Sequence, residues 1–308
     1  MKLFLKDIIS SFIPIRLIAK NFNPVLLYHS LGSGSKFKNN IDHVNLEILI
    51  TQLKSIQKYW KFVTIDEYAN AKNKKGLASL TIDDGYKNII DESLEVFKSL
   101  DIPITIFINS STLNGKIFWR DKVRYLIENK LVAKYVNFSN LFEKKHIHKF
   151  YLISKDQKFN SIEVEKDIDL FFSKESIILT NSDKLCFDSK RYFIKNNLVS
   201  YGNHTANHYM LSSLNKQEQY DEIVKCKDFI DELDVNKSEV FCFPFGGDNS
   251  FNKDTLSCLD DLNYKKVLKS TNNLDTLKNS NEICRLMPKY YEIEKTLKRL
   301  FLKKIIQG

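Results

Sequence analysis

The feature that most constrains this chain is a hydrophobic period that changes again and again along its length. Short apolar, β-branched runs alternate with amphipathic stretches of helical spacing. PVLLYHS (24–30) is an apolar run opened by Pro24 and closed by polar residues, the pattern of a buried strand. Residues 46–59 then place Leu46, Leu49, Ile50, Leu53 and Ile56 on one helical face. The same reading predicts strands over 62–65, 78–82, 101–108, 199–202, 239–243, 265–268 and 283–287. It predicts helices over 88–100, 216–233 and 251–262. Strand and helix in alternation imply parallel βα units, and about seven of them in a chain this long favour a barrel over an open sheet. Residues 115–195 break the rhythm with several charged helical patterns and the patch KKHIHKF (144–150). They are expected to form a largely helical insertion. The expected organisation is an N-terminal amphipathic segment (1–23), one catalytic domain (24–290) carrying that insertion, and a basic amphipathic helix (291–308).

Hydrophobic residues make up 43% of the chain, enough apolar material to exclude disorder as its main state. The formal charge of +9 is spread along the whole sequence rather than clustered. That favours a solvated Lys-rich surface, with no nucleic-acid partner. The five cysteines are widely and irregularly spaced with no CxxC pair, which speaks against a disulfide framework and for a reducing compartment. Lys6, Asp7 and Arg16 interrupt the N-terminal apolar runs, so no signal peptide is recognised. No run approaches the ~20 apolar residues of a membrane-spanning helix. A cytoplasmic location is expected, at the inner face of the membrane if the ends engage it. Two readings stay open for those ends. Leu5, Ile8, Ile9, Phe12 and Ile13 at one end, and Ile293, Leu297, Leu300, Phe301 and Ile305 at the other, either pack across the domain or lie on a membrane surface. No sequence feature bears on oligomeric state.

Three stretches carry chemistry. LTIDDGY (80–86) ends a buried strand in two adjacent carboxylates followed by Gly85. The C-terminal ends of strands are where a parallel βα fold places its reactive groups. Adjacent Asp83 and Asp84 cannot both be buried and ionised without a cation, although Asp-Asp-Gly is also good turn sequence. YGNHTANHYML (201–211) sets His204 and His208 four residues apart, on one face if the turn is helical. Two histidines and a carboxylate with open positions form a catalytic metal pattern. FCFPFGG (241–247) is a third strand running into a turn, where Gly246 and Gly247 would let the backbone approach a ligand.

In that order the three stretches resemble the NodB-like polysaccharide deacetylases, carbohydrate esterase family four, whose motifs are T-F-D-D-G, H-[ST]-x-x-H and R-x-P-Y-G. Here they stand as Thr81-Ile82-Asp83-Asp84-Gly85, His204-Thr205-Ala206-Asn207-His208 and Cys242-Phe243-Pro244-Phe245-Gly246. The resemblance spans about 24–112 and 196–290 and implies a distorted (β/α)7 barrel. It implies a hydrolase that removes an acetyl group, N-acetyl foremost, from a glycan or sugar-lipid precursor of the cell envelope. It implies that Asp83 is the general base and that Asp84, His204 and His208 hold a divalent metal, zinc first among candidates. It also implies that the Phe245 backbone N–H faces the oxyanion. Two alternatives remain: a non-catalytic sugar-binding relative, and a hydrolase of another non-peptide C–N bond.

The chain departs from the pattern at two places. Cys242 stands where the family has the arginine that pairs with the base, and the usual Leu-x-His that supplies the acid is replaced by Ile283-Cys284-Arg285-Leu286. Arg285 ends the last predicted strand, beside the first in a barrel, and is expected to pair with Asp83. His29, at the end of the first strand, is the expected acid for the leaving amine. Trp119 and Arg120 open the insertion just after a strand. They are expected to touch substrate, the alternative being that Trp119 packs the insertion onto the barrel.

Overall fold

The computed structural model describes residues 10–36, 43–270, 281–288 and 293–307. Seven parallel strands form the frame: β1 (Val25–Tyr28), β2 (Leu77–Ile82), β3 (Ile104–Ile108), β4 (Val199–Asn203), β5 (Asn236–Cys242), β6 (Lys266–Lys269) and β7 (Glu282–Cys284), hydrogen-bonded in that order. The residues after β7 return to β1. Leu286 pairs with Leu26, the Leu27 N–H donates to the Leu286 carbonyl at 2.9 Å, and the Leu286 N–H donates to the Val25 carbonyl at 2.8 Å. The sheet therefore nearly closes, as the strand–helix alternation predicts, into a distorted (β/α)7 barrel.

Closure is irregular for identifiable reasons. A further short strand, Lys61–Val63, takes the first residues of β2 (Leu77 to Ser79), and β3 pairs only from Leu80 onward. The register between β4 and β5 shifts between Tyr201 and Asn203. Every residue of β1 and β3 is buried, because a parallel strand is covered on both faces. A two-stranded sheet, Ser30–Gly32 with His43–Asn45, lies outside the barrel.

The helices follow the expected amphipathic stretches: Leu46–Gln57, Lys216–Asp231 and Lys253–Asp261. Asn45, Asn215 and Asn252 cap their N-termini by accepting from backbone N–H groups. The stretch expected as one helix over 88–100 is instead a π turn (Ile89–Ser93) running into an α-helix (Leu94–Ser99).

The insertion is largely helical: Trp119–Glu128, Val132–Phe138, Phe150–Ile153 and Ser161–Lys174. Tyr135, Phe142, Phe150 and Phe171 interlock within it, in the same continuous core as the barrel. At the ends of the chain, a helix over Ile15–Asn21 packs on one over Ile293–Gln307, with Ile15, Ile18, Ile293, Leu297 and Phe301 buried. Leu5, Ile8 and Ile9 lie outside the described residues. Among the described residues, no helix is long and apolar enough to cross a membrane.

Candidate active site

The C-terminal ends of β1 to β7 converge on one buried mouth. Asp83 follows β2, and its backbone N–H donates to the Tyr28 carbonyl at the end of β1. The chain then turns sharply: Asp84 and Gly85 both have left-handed φ, 69° and 62°. That reversal aims the two carboxylates of the pair differently. Asp83 faces the last strand and Asp84 faces the histidines.

The His204–His208 segment is not the helical turn that its spacing suggests. It is a non-helical loop bent at Thr205 (φ 67°) and His208 (φ 58°). The loop still brings the two imidazoles to 4.7 Å between ring centroids. Four side chains hold it. Asn203 accepts from the Thr205 N–H at 2.8 Å, and Thr205 Oγ1 accepts from the His208 N–H at 3.0 Å. Asn109 donates to the His204 carbonyl at 2.6 Å. Glu222 accepts from the Asn207 N–H at 2.7 Å, and burial pushes its carboxyl upward against those hydrogen bonds. None of Asn109, Asn203 or Glu222 is marked in the sequence by motif spacing. Asn109 and Asn203 carried a usable signal, because each directly follows an expected strand.

The donor set suits a metal. One atom each from Asp84, His204 and His208 lies within 4.8 Å of the others. Asp84 Oδ1 is 3.7 Å from His204 Nε2 and 3.4 Å from His208 Nε2. Two ligands each ~2.1 Å from a tetrahedral ion stand ~3.4 Å apart. His204 Nδ1 lies 2.9 Å from the Cys242 carbonyl oxygen, which can only accept. The proton is therefore on Nδ1, and the Nε2 lone pair lies 3.5 Å from Asp83 Oδ2 and 3.7 Å from Asp84 Oδ1. Burial lowers the His204 pKa to about 4, against the opposing pull of Asp83. Burial, with the neighbouring His204 and Arg120, holds His208 well below its usual range. Both rings are therefore neutral, the form that binds metal. His208 Nδ1 is buried without a hydrogen-bond partner, so no hydrogen bond at that atom accounts for the ring's burial.

Arg285 reaches across the barrel closure to Asp83 as a fork. Nη1 donates to Oδ1 at 2.6 Å and Nη2 to Oδ2 at 2.7 Å. Nη2 also donates to Ser270 Oγ at 3.0 Å and Nη1 to Thr81 Oγ1 at 3.3 Å. Burial alone would raise the Asp83 carboxyl. The Arg285 charge, aided by His204, outweighs it and holds the pKa at about 2. The Cys242 thiol lies 3.5 Å from Asp83 Oδ1 and also touches Arg285. Gly246 fixes the neighbouring loop, because a Cβ there would lie 2.5 Å from Ser270 Oγ. Gly247 has no such constraint, with nothing within 4 Å of its Cβ position.

Of the remaining expected residues, His29 is partly exposed at the end of β1, and its charge acts on Asp83, His204 and His208. Phe245 has left-handed backbone (φ 63°), and its ring packs 4.5 Å from His208. Trp119 and Arg120 are only 1% and 2% exposed, as deeply buried as Asp83 and His204. Trp119 Nε1 donates to the His208 carbonyl at 3.1 Å, so it braces the histidine loop from behind. Arg120 stacks 4.6 Å over the Trp119 and Tyr151 rings and donates to Ser154 Oγ and the Tyr151 carbonyl. The large apolar area of Trp119 drew it into packing, and Arg120 followed through the stack.

The polysaccharide deacetylase family model matches residues 190–267, the segment that holds the histidine loop and the Pro244 turn. Over that segment the chain is similar to the polysaccharide deacetylases. Solved structures share the fold of this chain across almost its whole length. A Streptococcus pyogenes deacetylase, PplD, in complex with acetate superimposes with a TM-score of 0.56 at 16% identity, covering 91% of this chain and 99% of its own. IcaB from Ammonifex degensii gives 0.52 at 14%, covering 90% and 97%. A de-N-acetylase from Aggregatibacter actinomycetemcomitans gives 0.51 at 13%, covering 87% and 95%. No curated protein sequence matches the chain at a significant level.

Proposed function

We propose that this protein is a metal-dependent hydrolase that removes the acetyl group from an acetamido sugar of a glycan or sugar-lipid precursor. The observation that carries the reading is the joint placement of a three-ligand set (Asp84, His204, His208) and a separate, arginine-held carboxylate (Asp83) in one mouth. A site that only binds sugar has no use for that second carboxylate. Two of the proteins of similar fold, a deacetylase and a de-N-acetylase, support the same reaction class.

Asp84, His204 and His208 would hold the divalent ion, zinc by the chemistry of the donor set. Bound there, it would polarise the acetyl carbonyl and acidify water. Asp83 takes the proton of the attacking water. Arg285 fixes the orientation of that carboxylate and keeps it ionised across the working pH range. This lowers its basicity, so orientation is the larger benefit. The Phe245 N–H donates to the developing oxyanion. His29, partly exposed beside Asp83, passes a proton to the departing amine. Cleavage breaks the C–N bond and leaves acetate and a free amino sugar.

The reading extends to a membrane-bound sugar-lipid precursor at the cytoplasmic face. Exposed Phe12, Leu17, Ile305 and Ile306, with exposed Arg16, Lys20, Arg299 and Lys303 on the same two terminal segments, support peripheral contact with anionic lipid. The deciding test is acetate release from N-acetylated glycans by the metal-loaded protein, with and without chelator. Release abolished by chelation and by Asp83→Asn is expected. No release from any acetamido sugar, or release indifferent to chelator, would overturn the reading.

A further inference from the structure

His204 stands between two sets of donors, and the chemistry above uses one of them. Its Nδ1 is held by the Cys242 carbonyl, so a single lone pair, on Nε2, can bind an ion. That lone pair lies 3.7 Å from Asp84 Oδ1 and 3.5 Å from Asp83 Oδ2. On the Asp83 side the third donor is sulfur. Cys242 Sγ stands 3.5 Å from Asp83 Oδ1 and 3.6 Å from Oδ2. One donor atom each from Asp83, His204 and Cys242 lies within 4.8 Å of the others, and all three residues are buried. Two donors at about 2.1 and 2.3 Å from one tetrahedral ion, the usual zinc–oxygen and zinc–sulfur lengths, stand about 3.6 Å apart. Among the described residues only these two three-donor sets occur, and Cys242 is the one cysteine in either. Distance does not choose between the sets, but chemistry does. The Arg285 guanidinium grips Asp83 at 2.6 Å and opposes any cation beside it. A borderline ion, offered two imidazoles and a carboxylate by the first set, gains nothing by moving toward Arg285. A thiophilic ion gains the sulfur.

We propose that Asp83, His204 and Cys242 form a second metal position, selective for thiophilic divalent ions such as cadmium, whose occupancy excludes an ion from Asp84, His204 and His208. The exclusion follows from the single lone pair of His204, which cannot serve two ions. On binding, the Cys242 S–H bond breaks, its proton passes to solvent and a sulfur–metal bond forms, with no change of oxidation state. Asp83 then coordinates the ion and no longer accepts a proton from water, so occupancy here inhibits. Binding at this position stands apart from the deacetylase reading, and the loss of activity rests on it.

The test loads metal-free protein with cadmium alone or cobalt alone and reads the ultraviolet charge-transfer band of a thiolate–metal bond. Wild type should bind cadmium with that band and cobalt without it. His208→Ala dismantles the first set and should keep the cadmium band. His204→Ala should lose it, because both sets need that ring. Cys242→Ser should lose the band yet still bind cadmium through Asp84, His204 and His208. Melting curves confirm the fold of each variant, and His208→Gln and Cys242→Ala stand in for variants that fail to fold. Cadmium bound by wild type without the band overturns the proposal. So does a band that survives Cys242→Ser or His204→Ala, or one that is lost in His208→Ala. A cobalt band of equal strength overturns the selectivity. Acetate release by the zinc-loaded protein is measured separately. Added cadmium should suppress it in wild type and much less in Cys242→Ser, and equal suppression in both would deny that the sulfur position inhibits. No acetate release under any condition would count against the deacetylase reading and leave the cadmium band to decide the metal position.

Discussion

At the residue scale, the two adjacent aspartates meet different neighbours because the backbone turns between them. His204→Ala should lose most of the bound metal while the chain stays folded, as elemental analysis and circular dichroism would report. Asp83→Asn should keep the metal and lose about 10²–10⁴-fold in rate, the usual worth of a general base. Equal metal loss in Asp83→Asn and Asp84→Asn would show that the roles are divided wrongly. The Arg285–Asp83 fork makes a sharper prediction. Arg285→Met leaves a buried carboxylate without its partner and should cost about 3–5 kcal/mol of stability. Adding Asp83→Asn should restore much of that stability, but not activity. If denaturant melts instead show the two substitutions adding independently, the pair is not energetically coupled. The Asp-Asp-Gly and His-x-x-x-His spacings made the candidate ligands legible in the sequence. Their geometry was not legible, because four-residue spacing fits a helical turn as well as this loop, and the left-handed φ of Thr205 and His208 leaves no mark on residue type. The missing motif arginine was a clear absence at Cys242. Its replacement could be sought at Arg285 only because barrel closure brings the last strand beside the first.

At the element scale, the insertion supports the histidine loop rather than covering the site as a separate lid. Trp119 bonds the His208 carbonyl, Tyr209 donates to Glu165 on the helix Ser161–Lys174, and Ser161 Oγ accepts from the Met210 N–H at 3.1 Å. Lys122 completes the join, donating to Glu165 at 2.8 Å and to Asp169 at 2.7 Å. Trp119→Ala should therefore lower both stability, by about 3–5 kcal/mol as for other buried aromatics, and metal affinity. A milder Tyr209→Phe should weaken metal binding with little loss of stability. Unaltered metal affinity in both variants would reduce the insertion to a packing role. The insertion's helices were legible as charged, periodic segments. Its attachment to the site was not, because residue type alone does not tell a tryptophan that stacks on sugar from one that braces a loop. The outer sheet of Ser30–Gly32 and His43–Asn45 also escaped the pattern, its strands being three residues each and too short for a period to show. The two terminal helices make their own prediction. Leu17→Asp combined with Ile305→Asp should reduce co-sedimentation with anionic vesicles and leave melting temperature nearly unchanged, since both side chains are exposed. No wild-type binding to such vesicles would leave these helices as packing elements.

At the scale of the whole molecule, barrel closure and the candidate metal site depend on the same few junctions. Asp83 is tied by its N–H to β1 and by its carboxylate to Arg285, and the Arg285 N–H in turn donates to the Lys269 carbonyl of β6 at 2.8 Å. Asp84 belongs to the same turn, and His204 is tied to β3 through the Ile108 carbonyl at 3.1 Å. An ion held by Asp84, His204 and His208 would thus link β2 to β4 at the mouth, next to the irregular closure. The sequence foretold the strand count and their alternation with helices because each is a local pattern. It left out the early pairing of Lys61–Val63 and the β4–β5 register shift, which depend on residues far apart in the chain. Because the ion binds only the folded arrangement, it should stabilise the fold by mass action. Free zinc at 100 times its dissociation constant should add about 2.7 kcal/mol. For a chain of this length that corresponds to a few degrees of melting temperature. The shift should grow with zinc concentration, reverse with chelator, and vanish in His204→Ala, while Asp83→Asn retains it. A zinc-dependent rise that persisted in His204→Ala would place the stabilising ion elsewhere and detach the metal from this mouth.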